Sequence, residues 1–95
     1  MKARVRWVEC VAEDGAPWFQ ARTSMAVIGD IFVSKKRPGM FKWNARTMHD
    51  TRTGEYNSVT PEGYVYSFED AKNIVEAILV ATKTVEAVPE PAPVS

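Results

Sequence analysis

Ninety-five residues, 45% apolar and 25% charged, are enough for one small globular domain and argue against wholesale disorder. Twelve basic residues balance twelve acidic ones, a neutral charge that falls well short of a dedicated polyanion binder. No apolar run approaches the ~20 residues a membrane span needs.

Met1 to Trp7 alternates charge and bulk with no signal-peptide apolar region, and the single cysteine, Cys10, has no partner for an internal disulfide. A reducing cytoplasm is therefore the expected compartment. The charge is unevenly spread. Residues 1–52 hold ten Lys and Arg against five Asp and Glu, whereas residues 53–95 hold two against seven. Two readings follow: attraction between a basic and an acidic half, or a basic face kept for an acidic partner.

In chain order, residues 3–12 alternate as a first strand, with Val5, Trp7 and Val11 against Arg4 and Arg6. Asp14-Gly15 supplies a turn, and Pro17 suits the first position of the returning strand. That strand runs from Trp18 through Arg22 to Ile28. Gly29-Asp30 is either a tight turn or a kink within a long strand, and the bulge or kink is preferred. Ile31 to Lys36 continues as strand up to Arg37-Pro38-Gly39-Met40, a type II turn by its Pro-Gly pair. Phe41 to Thr47 is the cleanest strand, with Phe41, Trp43, Ala45 and Thr47 on one face and Lys42, Asn44 and Arg46 on the other. Residues 48–54 form a polar loop, Tyr56 to Val59 a brief pairing, and Thr60 to Gly63 a turn into Tyr64–Tyr66.

Ser67 is the expected N-cap of the one strong helix, with Glu69 and Asp70 at its positive end. Its apolar stripe is Phe68, Ala71, Ile74, Val75, Ile78 and Val85, opposite Glu69, Lys72, Asn73, Glu76 and Lys83. Lys72 and Glu76, four apart, are placed to pair. The three prolines after Val88 end helical structure. Residues 1–87 therefore read as a single α+β domain, an antiparallel sheet of four or five strands with one C-terminal helix on one face, and residues 88–95 as a proline-rich tail. Phe19-Gln20-Ala21-Arg22-Thr23 recurs in type as Trp43-Asn44-Ala45-Arg46-Thr47, which gives Arg22 and Arg46 matching outward positions.

One helix covers one face of such a sheet, yet Val8 and Cys10 oppose Trp7 and Val11, and Ile28 and Phe32 oppose Ile31 and Val33. The surplus apolar surface predicts an interface, most simply a homodimer, unless the 48–63 loop and the tail fold across it.

Chemistry is sparse. His49-Asp50 is the one acid–base pairing, and no motif places a nucleophile beside it. One His and one Cys do not make a metal site, so no catalytic residue, cofactor or metal is expected, and Cys10 reads as a buried thiol. Single-stranded nucleic acid is the main alternative ligand, because basic strands interleaved with aromatics hold such strands. Against it, the aromatics alternating with Lys42 and Arg46 point away from them, toward the core.

The run from Gly63 to Glu76 (GYVYSFEDAKNIVE), with Gly29–Lys35 and Gly39–Ala45 upstream, resembles the ending of small phage and prophage accessory proteins, including anti-CRISPR-like inhibitors. That resemblance covers residues 29–80 and implies a mobile-element protein that occupies a host macromolecule in the host cytoplasm. It carries no site residues. The expectation is a non-enzymatic binding module for a protein partner. Its expected contact residues are Arg22, Lys42 and Arg46 on the outer sheet surface, with Lys35, Lys36 and Arg37 at a turn beside them.

Overall fold

A computed structural model describes residues 2–46 and 61–88. The expected 48–54 loop, the Tyr56–Val59 pairing, His49-Asp50 and the prolines of the tail lie outside those residues.

The elements in order are β1 (Lys2–Ala3), β2 (Arg6–Val11), β3 (Pro17–Arg22), β4 (Val27–Val33), β5 (Phe41–Ala45), β6 (Glu62–Val65), α1 (Phe68–Ala81) and β7 (Ala87–Val88). Strands β2 to β6 form a five-stranded sheet in sequence order, and every pairing is antiparallel. The fold is α+β, with α1 packed on one face.

The turns show how local chemistry sets the strands. Gly15 adopts φ +84° and Gly39 φ +82°, the left-handed values these two turns require of glycine. Asp14 tightens the first turn by accepting from the Ala16 N–H at 3.0 Å, and Pro17 opens β3 as expected. The long Trp18–Ile28 strand does not form. The chain reverses at Thr23–Ala26, where Thr23 Oγ1 accepts from the Met25 and Ala26 N–H groups, both at 3.2 Å. Gly29-Asp30 is continuous strand, and the irregularity sits just before it. Ala21 pairs with Gly29 and Arg22 with Val27, so Ile28 is the extra residue of a bulge. The bulge separates Ile28 from Phe32, with which strict alternation grouped it, and draws it into the core cluster of Ala21, Ala45, Val75 and Leu79.

The register explains the sequence echo. Phe19 and Trp43 flank Ile31, Gln20 and Asn44 flank Asp30, and Ala21 and Ala45 flank Gly29. The last row is a trough of three minimal side chains, and α1 lies against it: a Cβ built on Gly29 would come 2.9 Å from Val75 Cγ1.

Ser67 caps α1 by accepting from the Asp70 N–H at 3.3 Å. The other end closes with Lys83 at φ +58°, its N–H donating to the Val80 carbonyl and that of Thr84 to Leu79. Two helix expectations are corrected. Leu79, left out of the stripe, is fully buried, and Glu76, read as solvated, is 4% exposed and makes no ion pair with Lys72. Leu79 joins the core cluster on the main sheet, whereas Glu76 faces β1, which was not expected as a separate strand. It pairs with β7 and packs against α1, widening the helix's buried arc. Val85, past the helix end, still packs on the core.

Candidate binding face

The sheet face turned away from α1 is fixed by alternation. Phe19 and Phe41 meet Phe68 of the helix, at ring-centroid distances of 4.4 and 6.1 Å, so their neighbours Trp18, Gln20 and Lys42 point to the other side. Register then sorts that side into rows running across the strands. The first is Cys10, Trp18, Phe32, Lys42 and Tyr64. The second is Val8, Gln20, Asp30, Asn44 and Glu62. At the far end Arg6 stands beside Arg22, and Arg22 beside Val27.

The first row is aromatic and cationic. Trp18 and Phe32 stack at 5.3 Å with 14° between their planes. The Arg37 guanidinium sits 4.6 Å from the Tyr64 ring centroid and Lys42 Nζ 6.0 Å from it. Lys35, Lys36 and Lys42 border one hollow of about 260 Å³ with Phe32 and Tyr64. Four of the six expected contact residues (Lys35, Lys36, Arg37 and Lys42) therefore gather at one end of the sheet. Arg22 and Arg46 lie toward the other end, where Arg22 pairs with Val27 and the Arg46 N–H donates to the Ile28 carbonyl.

Most of these cations have internal partners. Lys35 meets Asp14 at 2.8 Å, Lys42 meets Glu62 at 3.6 Å, and Arg46 meets Asp30 at 3.3 Å. Arg22 grips Gln20 Oε1 with Nε at 2.8 Å and also with Nη2. The hydrogen bond from Lys35 holds the Asp14 carboxyl below its ordinary pKa, and Asp14 in turn raises that of Lys35. Both side chains are exposed, so this pair contributes little to stability.

Asp30 is different, being 4% exposed. Burial pushes its pKa above the ordinary carboxylate value, and the Arg46 charge and an Asn44 hydrogen bond offset this only in part. A proton is therefore held more tightly in the folded chain than in the unfolded one. Stability from this group is fully present below the unfolded pKa and is lost as pH rises through the folded one. Asp30→Asn removes the charge and places an amide donor beside Asn44 Oδ1, a buried acceptor with no partner. The expected outcome is a gain of about 1 kcal/mol at pH 7 in urea denaturation, shrinking as pH falls through the carboxylate range. A loss at pH 7 would mean that the Arg46 ion pair outweighs the burial.

Trp18, Phe32 and Tyr64 were missed as site residues. The signal was available for Trp18, which shares strand parity with Gln20 and Arg22, but the register across β4 was not. Cys10, read as buried, is half-buried at the rim of this row, its thiol 3.8 Å from the Val8 carbonyl. Among the described residues no group of His, Cys, Asp or Glu is arranged to hold a metal ion, and no helix is long and apolar enough to cross a membrane. No protein-family model matches the chain, and no curated protein or solved structure matches it.

Proposed function

We propose that this chain is a non-enzymatic binding module that docks on an acidic surface of a partner protein through the sheet face opposite α1. The observation that carries the reading is the row Trp18, Phe32, Lys42 and Tyr64, roofed by Arg37 and edged by Lys35 and Lys36. Aromatic side chains and arginine dominate the energy of protein interfaces, while a rim of one charge speeds and orients encounter. A mobile-element inhibitor, the class that residues 29–80 resemble, would act by this kind of occupancy.

The same row favours a second reading, a single-stranded nucleic acid, because here aromatics do share a face with basic side chains. Two features weigh against it. Trp18 and Phe32 use ring faces on each other and Tyr64 uses one on Arg37, faces that bases would need for stacking. The second row, Val8, Gln20, Asp30, Asn44 and Glu62, also contributes no basic residue, and its exposed Glu62 would repel a phosphate backbone.

The test is capture from a nuclease-treated lysate with the wild type and with Arg37→Glu/Lys42→Glu, each checked by circular dichroism. A protein should be retained after nuclease treatment and its affinity should fall at least about tenfold for the double variant. An unchanged set of captured proteins would sink the docking face, and capture that disappears with nuclease would transfer the assignment to nucleic acid.

A further inference from the structure

A second cationic feature lies on the sheet at the other end of the strands, and the docking proposal does not use it as a unit. Arg4, Arg6 and Arg22 border one hollow of about 310 Å³ together with Thr23 and Ser24. Among the described residues no carboxylate lines it. Glu76 and Glu86 border neighbouring hollows, and neither pairs with any of the three arginines.

Arg6 and Arg22 are direct cross-strand partners, an arrangement that costs stability because like charges stand opposite each other. Elsewhere on the face Lys35 is matched with Asp14, Lys42 with Glu62 and Arg46 with Asp30, and Arg37 lies over the Tyr64 ring. Among the described residues none of Arg4, Arg6 and Arg22 has an acidic partner. Arg22 is held in place by its two hydrogen bonds to Gln20 Oε1, and its Nη1 has no partner among the described residues. Thr23 Oγ1 is committed to its turn, whereas the Ser24 hydroxyl has no partner among the described residues.

We propose that this corner binds a phosphate monoester, with Arg4, Arg6 and Arg22 as its ligands and the Ser24 hydroxyl as a further donor. A carboxylate presents one planar edge and satisfies one guanidinium fork, whereas a tetrahedral dianion offers oxygens in several directions to three forks at once. The hollow has room for such a group with several waters, each needing about 30 Å³. A monoester fits better than a phosphodiester strand, because the three arginines border one hollow and the row between them and Lys42 (Val8, Gln20, Asp30, Asn44 and Glu62) contributes no basic residue to a track along the strands. The site takes a phosphate dianion and needs no partner surface, so it stands or falls apart from the docking reading.

The experiment follows backbone and arginine Nε resonances by NMR during titration of the full chain with inorganic phosphate, acetate, a phosphoserine peptide with its unphosphorylated form, and a short oligothymidylate. Phosphate and the phosphopeptide should shift signals of residues 4–6 and 20–24 to saturation. Arg22→Gln and Arg6→Gln should each weaken that binding at least about tenfold, while Lys83→Gln, the same charge removed elsewhere, should leave it unchanged. Arg6→Gln should also raise the thermal midpoint without phosphate, and phosphate should raise the wild-type midpoint but not that of the variant. Equal binding of acetate, tighter binding of the oligonucleotide than of the phosphopeptide, or losses equal to that of Lys83→Gln would each overturn the site.

Discussion

Replacing Gly29 by alanine should destabilise the fold by about 1–3 kcal/mol, and replacing it by valine by more. The new Cβ would stand 2.9 Å from Val75 Cγ1, 3.2 Å from the Asn44 carbonyl oxygen and 3.4 Å from Ala21 Cβ. None of these atoms gives way readily. The carbonyl belongs to the β4–β5 ladder, Ala21 is fully buried, and valine in a helix holds essentially one rotamer. Alanine in place of glycine does restrict the unfolded chain, for a gain of ~0.4–1 kcal/mol, which is smaller than the cost of overpacking. The clash can be isolated by a double-mutant cycle. Val75→Ala alone costs stability by leaving a cavity, but it removes the methyl that Gly29→Ala meets. The double variant should therefore be more stable than the sum of the single effects by about 0.5–3 kcal/mol in urea denaturation. Strict additivity would mean that α1 does not rest on the Ala21–Gly29–Ala45 trough.

That trough shows what the sequence discloses and what it withholds. Its two outer members are visible as the repeated aromatic, carboxamide, Ala, Arg, Thr string, and local chemistry places the strands, the Arg37–Met40 turn and the Ser67 cap. Those signals act over a few residues. The Thr23–Ala26 reversal is equally local, but it is made by a threonine hydroxyl bridging backbone N–H groups and carries no glycine or proline to mark it. The bulge at Ile28 shifts alternation by one residue, so a strict period of two puts Ile28 on the wrong face. Glu76 was misjudged because a stripe read from α1 alone cannot show β1, which pairs with residues 87–88 and packs against the helix.

The candidate face divides in the same way. Parity within one strand suffices to turn Arg22, Lys42 and Arg46 outward. Which of them is left without an acidic partner depends on what stands opposite on another strand. Arg46 reaches Asp30, sixteen residues away, and Lys42 reaches Glu62. Arg6 and Arg22 have no acidic partner among the described residues, and their juxtaposition exists only once β2 and β3 are in register.

Trp43→Ala should be the most damaging single truncation on β5, costing about 3 kcal/mol, the lower end for a buried tryptophan because its ring is only partly covered. Trp43 packs against the core cluster, and its indole lies over Gly63, its cross-strand partner on β6. A Cβ on Gly63 would fall 2.9 Å from Cζ2 and 3.0 Å from both Cε2 and Nε1. The indole thus clamps the edge strand that leads into the capped start of α1. Losing it exposes the β5–β6 pairing before the central strands, so hydrogen exchange should accelerate first at the β6 amides and only later in β3 and β4. Gly63→Ala should also destabilise, by forcing the ring aside, but should cost little in the Trp43→Ala background where the ring is gone. If Gly63→Ala costs the same in both backgrounds, the clamp is not what holds β6. The penalty would then come from the backbone of the edge strand itself.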